Sequence, residues 1–178
     1  MKNETAVFGG GCFWCTEAIF EMVKGVTLVT SGYAGGHAES PNYYQVCSGI
    51  TGHAEVVKID YDADVISYQD LLEVFWQAHD STTKNRQGND IGTQYRSIIL
   101  FQDLEQKRKA EESMAKANAS GLFKKPIVTE IKPFNAFYEA EDYHRDYFVN
   151  NPNQPYCRAI ISPKVAYFIE KNQDNVAK

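Results

Sequence analysis

Residues 5–20 read TAVFGGGCFWCTEAIF, and two periodicities meet in them. Thr5–Gly9 is a short run suited to a strand, and it runs straight into glycines. A helix is expected to open at about Cys12 and to run to Lys24, with Gly25 as its C-terminal stop. Cys15, Ile19 and Met22 recur at i, i+4, i+7, and Ala18 and Val23 widen that apolar stripe.

The pattern continues outward in mixed order. Val26–Tyr33 reads as a second strand that ends in the glycine- and proline-marked loop AGGHAESPN. Asn42–Cys47 suits a short helix. Glu55–Tyr61 (EVVKIDY) alternates as a half-buried strand does. Ser67–His79 is a helix with Leu71, Leu72, Phe75 and Trp76 inward, and a long polar loop, Asp80–Gln94, follows. Loops of that length in compact domains are often functional. Further elements are expected at Ser97–Gln102 (strand), Asp103–Ala119 (surface helix), Pro126–Lys132 (strand) and Ala140–Asn150 (helix). This order points to an α+β protein, with helices on a mixed, mostly antiparallel sheet.

The 178 residues fit one catalytic domain, with a core of about 5–163 and a tail, 164–178, that carries no assignment. Eighteen basic against 23 acidic residues, with no basic concentration, argue against a nucleic-acid partner. The N-terminus lacks a signal-peptide pattern and no apolar run is long enough to span a membrane, so a cytoplasmic chain is expected. In a reducing compartment, four cysteines are buried thiols, metal ligands or redox groups rather than a disulfide scaffold.

Cys12 and Cys15 form a C-x-x-C. A structural zinc site needs four ligands, and the scattered Cys47 and Cys157 do not complete one. A dithiol exchanger of the thioredoxin kind fits a C-x-x-C at a helix start. Unpaired N–H groups there favour an anion, so a lowered Cys12 pKa is expected. Cys15 lies on the helix's apolar stripe and suits a buried thiol as well as a redox partner. Cys47 is read as a buried thiol. Glu55 shares a strand face with Val57, Ile59 and Tyr61, where a carboxylate is costly unless it is paired or keeps its proton. A neutral glutamic acid is a ready proton donor.

Four stretches, GGGCFWCTEAIF, SGYAGGHAESPNYYQVCSGITGHAEVV, GNDIGTQYRS and DYHRDYFVNNPNQPYC, together resemble the peptide methionine sulfoxide reductase A family, from about Ala6 to Pro163. The resemblance implies a two-layer, ferredoxin-like α+β sandwich wrapped by long loops. It implies reduction of methionine-S-sulfoxide, free or in proteins, as repair after oxidation. Cys12 matches the nucleophile, Glu55 the acid, Tyr43 and Tyr95 the donors to the sulfoxide oxygen, and Asp90 a pocket aspartate. Phe13 and Trp14 match the wall around the substrate methyl group. Cys157, in a stretch whose proline and asparagine suggest a mobile loop, matches the usual resolving cysteine and is favoured; Cys15 is its rival. Thioredoxin is the implied reductant and a monomer the expected state. No metal, flavin or nucleotide cofactor is implied. His53 and His144 are read as structural. A general thiol–disulfide exchanger built on CFWC is the alternative.

Overall fold

A computed structural model of the chain describes residues 2–177. Its six-stranded sheet contains β1 (Asn3–Gly10), β2 (Val26–Ala34), β3 (Ala54–Asp62), β6 (Ser97–Phe101), β7 (Glu130–Pro133) and β8 (Phe137–Glu139). The spatial order is β7-β6-β1-β3-β2-β8, antiparallel at every pairing except β6 with β7. The mixed α+β class is as expected. β1 and β3 register Phe8 opposite Val57, and β2 and β3 register Tyr33 opposite Glu55.

Alternation along β3 sorts the two faces. Val57, Ile59 and Tyr61 join Phe8 and Ile99 beneath α1 (Phe13–Phe20) and α3 (Tyr68–Ala78), where Ile19, Phe20, Leu71, Leu72 and Phe75 complete the main core. Ala54 and Val56 face the other way with Val7, Ile98 and Leu100, beneath Phe134 and Phe137. α3 starts cleanly because Ser67 and Asp70 form a reciprocal capping box. α4 (Leu104–Ala119) packs on α3, and the Trp76 indole donates to Ser113 Oγ at 2.8 Å.

Several elements depart from expectation, each for a tertiary reason. α1 stops at Phe20 rather than Lys24, because Val23 bridges to Val176 and the Met22 carbonyl accepts from Ala177 N. Strand pairing starts at Glu130 rather than Pro126: Ile127 N bonds the Asn118 side chain and Val128 N bonds the Ser81 carbonyl. Ala140–Asn150 is not one helix. It is a 3-10 turn, Asp142–His144, and a single turn, α5 (Tyr147–Asn150), separated at Asp146 by a left-handed φ of 50°. The polar loop 80–94 contains a two-residue ladder, β4 (Arg86–Gln87) with β5 (Asp90–Ile91), and leads into a 3-10 turn at Thr93–Tyr95. α2 (Tyr43–Cys47) is capped by Asn42. The tail forms a helix: a π-helical turn, Cys157–Ile161, continues into α6 (Ser162–Lys171), which buries Phe168 in the main core. No helix among the described residues is long and apolar enough to cross a membrane.

Candidate active site

β1 ends in Gly9 and Gly10, paired with Ile98 and Ser97 of β6, and the chain turns toward α1 at Gly11. A Cβ on Gly9 would lie 2.7 Å from an Ile98 methyl and 2.9 Å from the Glu55 carbonyl oxygen. Gly11 has φ +94° and sits against the Gln87 side chain. This close packing delivers Cys12 to the N-cap of α1, which it occupies without a side-chain cap bond.

Beside it is a cavity of about 180 Å³ lined by Cys12, Phe13, Trp14, Tyr43, Glu55, Asp90, Tyr95 and Tyr156. Seven of these eight were expected from sequence, and they come from five separate parts of the chain. A larger hollow of about 730 Å³ lies between α3, α4 and α6 and holds none of the expected site residues.

Glu55 is 2 % exposed, and one carboxyl oxygen accepts the Phe13 amide at 3.0 Å. Burial pushes its pKa up to about 8, against the smaller lowering by that amide. At neutral pH it is therefore a carboxylic acid.

The Cys12 thiol moves opposite to the helix-terminus expectation. Burial pushes it well up, and the neighbouring Cys15 adds to the rise. Eight residues of α1 give a short dipole, and desolvation outweighs it. Cys15 moves the other way: its hydrogen bond with Cys12, the charge of Lys164 and the Tyr156 hydroxyl lower it, against burial. Burial also raises the hydroxyls of Tyr43 and Tyr95, keeping both protonated as donors.

The third thiol of this region is Cys157. It is 0 % exposed, in a cluster with Cys15, Ala18 and Ile161, and it does not line the cavity. The mobile loop suggested by its proline and asparagine neighbours is instead a π-helical turn packed on α1. Cys47 is half-buried, and burial raises its thiol against the influence of the nearby Tyr43 hydroxyl. All four cysteines are free, and no group of three metal-ligating side chains exists among the described residues.

Three residues that sequence reasoning did not single out hold this arrangement. Tyr156 lines the cavity, donates to Asp90 Oδ2 at 2.6 Å and lies 4.0 Å from Cys15 Sγ. Its place just before Cys157 is the signal that could have found it. Glu141 accepts from Tyr33 Oη, Tyr143 Oη and Tyr43 N, fixing the start of α2. Gln87 spans the gap between Asp80, which it bonds twice, and Gly11. The two histidines read as structural do bond within the scaffold. His53 accepts Gly36 N and reaches the Ala38 carbonyl. His144 accepts the Trp14 indole at 3.0 Å, while Tyr147 stacks on Trp14 at 3.7 Å.

Fold and cavity together define an α+β thiol enzyme whose cysteine faces a neutral carboxylic acid inside an aromatic pocket. The chain belongs to the peptide methionine sulfoxide reductase family, whose model matches residues 4–177. It is 55% identical over 170 residues to the peptide methionine sulfoxide reductase MsrA of Nautilia profundicola, covering 96% of both chains. Reduced Mxr1 from Saccharomyces cerevisiae superposes with a TM-score of 0.80 at 32% identity, covering 88% of this chain and 90% of that one. Mxr1 in complex with Trx2 aligns at 20% identity with a TM-score of 0.57, over 82% of this chain and 85% of that one, a likeness of fold alone.

Proposed function

We propose that the whole chain is one catalytic unit that reduces methionine-S-sulfoxide, free or in proteins. The observation that carries this reading is a buried, protonated Glu55 in the same aromatic cavity as the Cys12 thiol. Cys12 sulfur attacks the sulfoxide sulfur. Glu55 gives its proton to the oxygen, and Tyr43 and Tyr95 donate hydrogen bonds to the charge that grows there. Phe13 and Trp14 hold the methyl group. Asp90, tied to Tyr156, closes the polar side of the pocket. Thiol plus sulfoxide become Cys12 sulfenic acid plus methionine, so the oxygen changes hands and atoms balance.

A second thiol then condenses with the sulfenic acid, expelling water. Sequence reasoning favours Cys157 for this step; the geometry supports Cys15 first, since it sits one helical turn from Cys12, its amide donating to the Cys12 carbonyl at 3.1 Å, while Cys157 is buried in a separate cluster. Cys157 sulfur then attacks Cys15 sulfur, forming a Cys15–Cys157 disulfide and releasing the Cys12 thiol, and a thioredoxin reduces that disulfide. Mxr1, at 32% identity, has itself been solved in complex with Trx2. The monomer and the cytoplasmic setting expected from the sequence are kept as part of this reading. The order β6-β1-β3-β2, with α1 and α3 on one face, supports a ferredoxin-like, split-βαβ core.

Incubation with dithiothreitol and a methionine-S-sulfoxide peptide should remove one oxygen, a loss of roughly 16 mass units. Loss of this activity is expected in Cys12→Ser; retention of it sinks the assignment. Peptide mapping after a single turnover without reductant identifies the resolving thiol. A direct Cys12–Cys157 linkage in chains with Cys15 still reduced overturns the Cys15-first order.

A further inference from the structure

Resting on the reductase reading above, we propose that Arg96 is a positioning residue of the reaction. Its guanidinium locks three loops behind the cavity together and so fixes the Glu55 acid against the Tyr95 donor.

β2 and β3 pair Tyr33 with Glu55 and Ala34 with Ala54, and there their ladder ends. Just beyond it a side chain takes over. Arg96 Nη2 donates to the Gly35 carbonyl at 3.4 Å and to the Gly52 carbonyl at 2.9 Å. Nη1 donates to the Thr93 carbonyl at 2.9 Å, within the 3-10 turn that carries Tyr95. That carbonyl also accepts the Arg96 amide, at 3.2 Å. Gly52 lies three residues before Glu55, and Tyr95 directly precedes Arg96. One planar group therefore ties the strand of the acid to the turn of the donor. The next residue, Ser97, pairs with Gly10, so the same clamp stands beside the segment that leads to Cys12.

The seat is shaped for this side chain. Arg96 is 8 % exposed, and Gly35, at φ +82°, would place a Cβ only 3.3 Å from Nη2. A buried cation is costly unless its donors are met. Glu130, 3.6 Å from Nε, is too distant to hydrogen-bond, so the compensating bonds go to the three carbonyls. A guanidinium reaches several acceptors at once because its donors lie in a fixed plane. A lysine ammonium is a point charge on a flexible stem and does not hold them in register. Arg96 does not line the cavity, so it acts through Glu55 and Tyr95. Both must reach one sulfoxide oxygen as charge grows on it. Misplacing them costs the transition state, whereas Phe13 and Trp14 still hold the substrate in the ground state.

The test compares the native chain with Arg96→Lys and Arg96→Gln in single-turnover reduction of free methionine-S-sulfoxide. Urea unfolding and alkylation of Cys12 by iodoacetamide, located by peptide mapping, are measured alongside. In both variants the limiting rate should fall about 10²-fold, while half-saturation changes by less than about threefold. Cys12 alkylation in the folded variants should stay within about twofold of native, because the thiol's own surroundings are untouched. An unchanged limiting rate in Arg96→Lys, or a rise in half-saturation alone, overturns the inference. So does a limiting rate that falls only in step with the folded fraction or with Cys12 alkylation, since Arg96 would then serve stability. Failure of both variants to fold makes Arg96 a residue of the fold and overturns it too. A native chain inactive on methionine-S-sulfoxide overturns the reductase reading itself, and this inference with it; the other outcomes overturn the inference alone.

Discussion

Glu55 is placed for chemistry at the expense of stability. The folded chain holds its proton up to about pH 8, whereas the unfolded chain releases it near 4.5. Between those values the folded state binds more protons, so this group's contribution falls as pH rises. At pH 7 the penalty is about 3 kcal/mol. Glu55→Gln keeps an acceptor for Phe13 N and removes the ionisation. It should slow single-turnover reduction by about 10²–10⁴-fold. In urea titrations it should also stabilise the chain at pH 7 and lose that gain near pH 4; equal effects at both pH values would exclude this origin. In the native chain the reductase step should decline as pH passes upward through about 8, as Glu55 ionises. Alternation marked this position as unusual, because Glu55 shares a strand face with Val57 and Ile59, and the family resemblance then gave it the acid's role. The thiol pKa shifts were not, because they depend on burial and on the mutual influence of Cys12 and Cys15, which one-dimensional spacing cannot supply.

At the scale of elements, the loops behind the cavity are held by close backbone approach. A Cβ on Gly36 would fall 2.3 Å from His53 N and 2.5 Å from the Thr51 carbonyl oxygen, both rigid backbone. Gly36→Ala should therefore separate the end of β2 from the start of β3, costing about 1–3 kcal/mol in denaturant titration and displacing Glu55. The junction of α1 with α5 carries a second proton-dependent device. Burial raises Glu17 to about 7 and Glu21 to about 8, and both face Asp146. Raised carboxyls favour the fold at lower pH, so Glu21→Gln should lift Tm by about 2–4 °C at pH 8 and leave it nearly unchanged at pH 4. A gain of the same size at both would point to packing. The elements legible in sequence were those whose own apolar period fixes them, such as α3 and β3. Ala140–Asn150 misled because Glu141 and His144 are engaged by tyrosines and Trp14, and that tertiary demand overrides local helix preference.

Across the whole molecule, the tail proves structural. Phe168 of α6 is buried in the main core, and Val176 bridges back to Val23. Phe168→Ala should cost about 3–5 kcal/mol in thermal or urea unfolding, and a negligible loss would mean that α6 only rests on the surface. Sequence left this segment without a role because the partners of its last residues lie some 150 positions away at the other end of the chain. The family's motifs, by contrast, made almost the entire cavity legible in one dimension, missing Tyr156. The glycines at the head of that cavity have a bearing on variation. Gly9 is hemmed by Ile98 and Glu55, Gly10 by His79 and Gly11 by Gln87, and Cys12 follows at once. In a saturation scan these four adjacent codons should form an unbroken gap in tolerance. Three are closed by lack of room and the fourth by chemistry, so the nucleophile has no neighbour on its upstream side through which its position could drift.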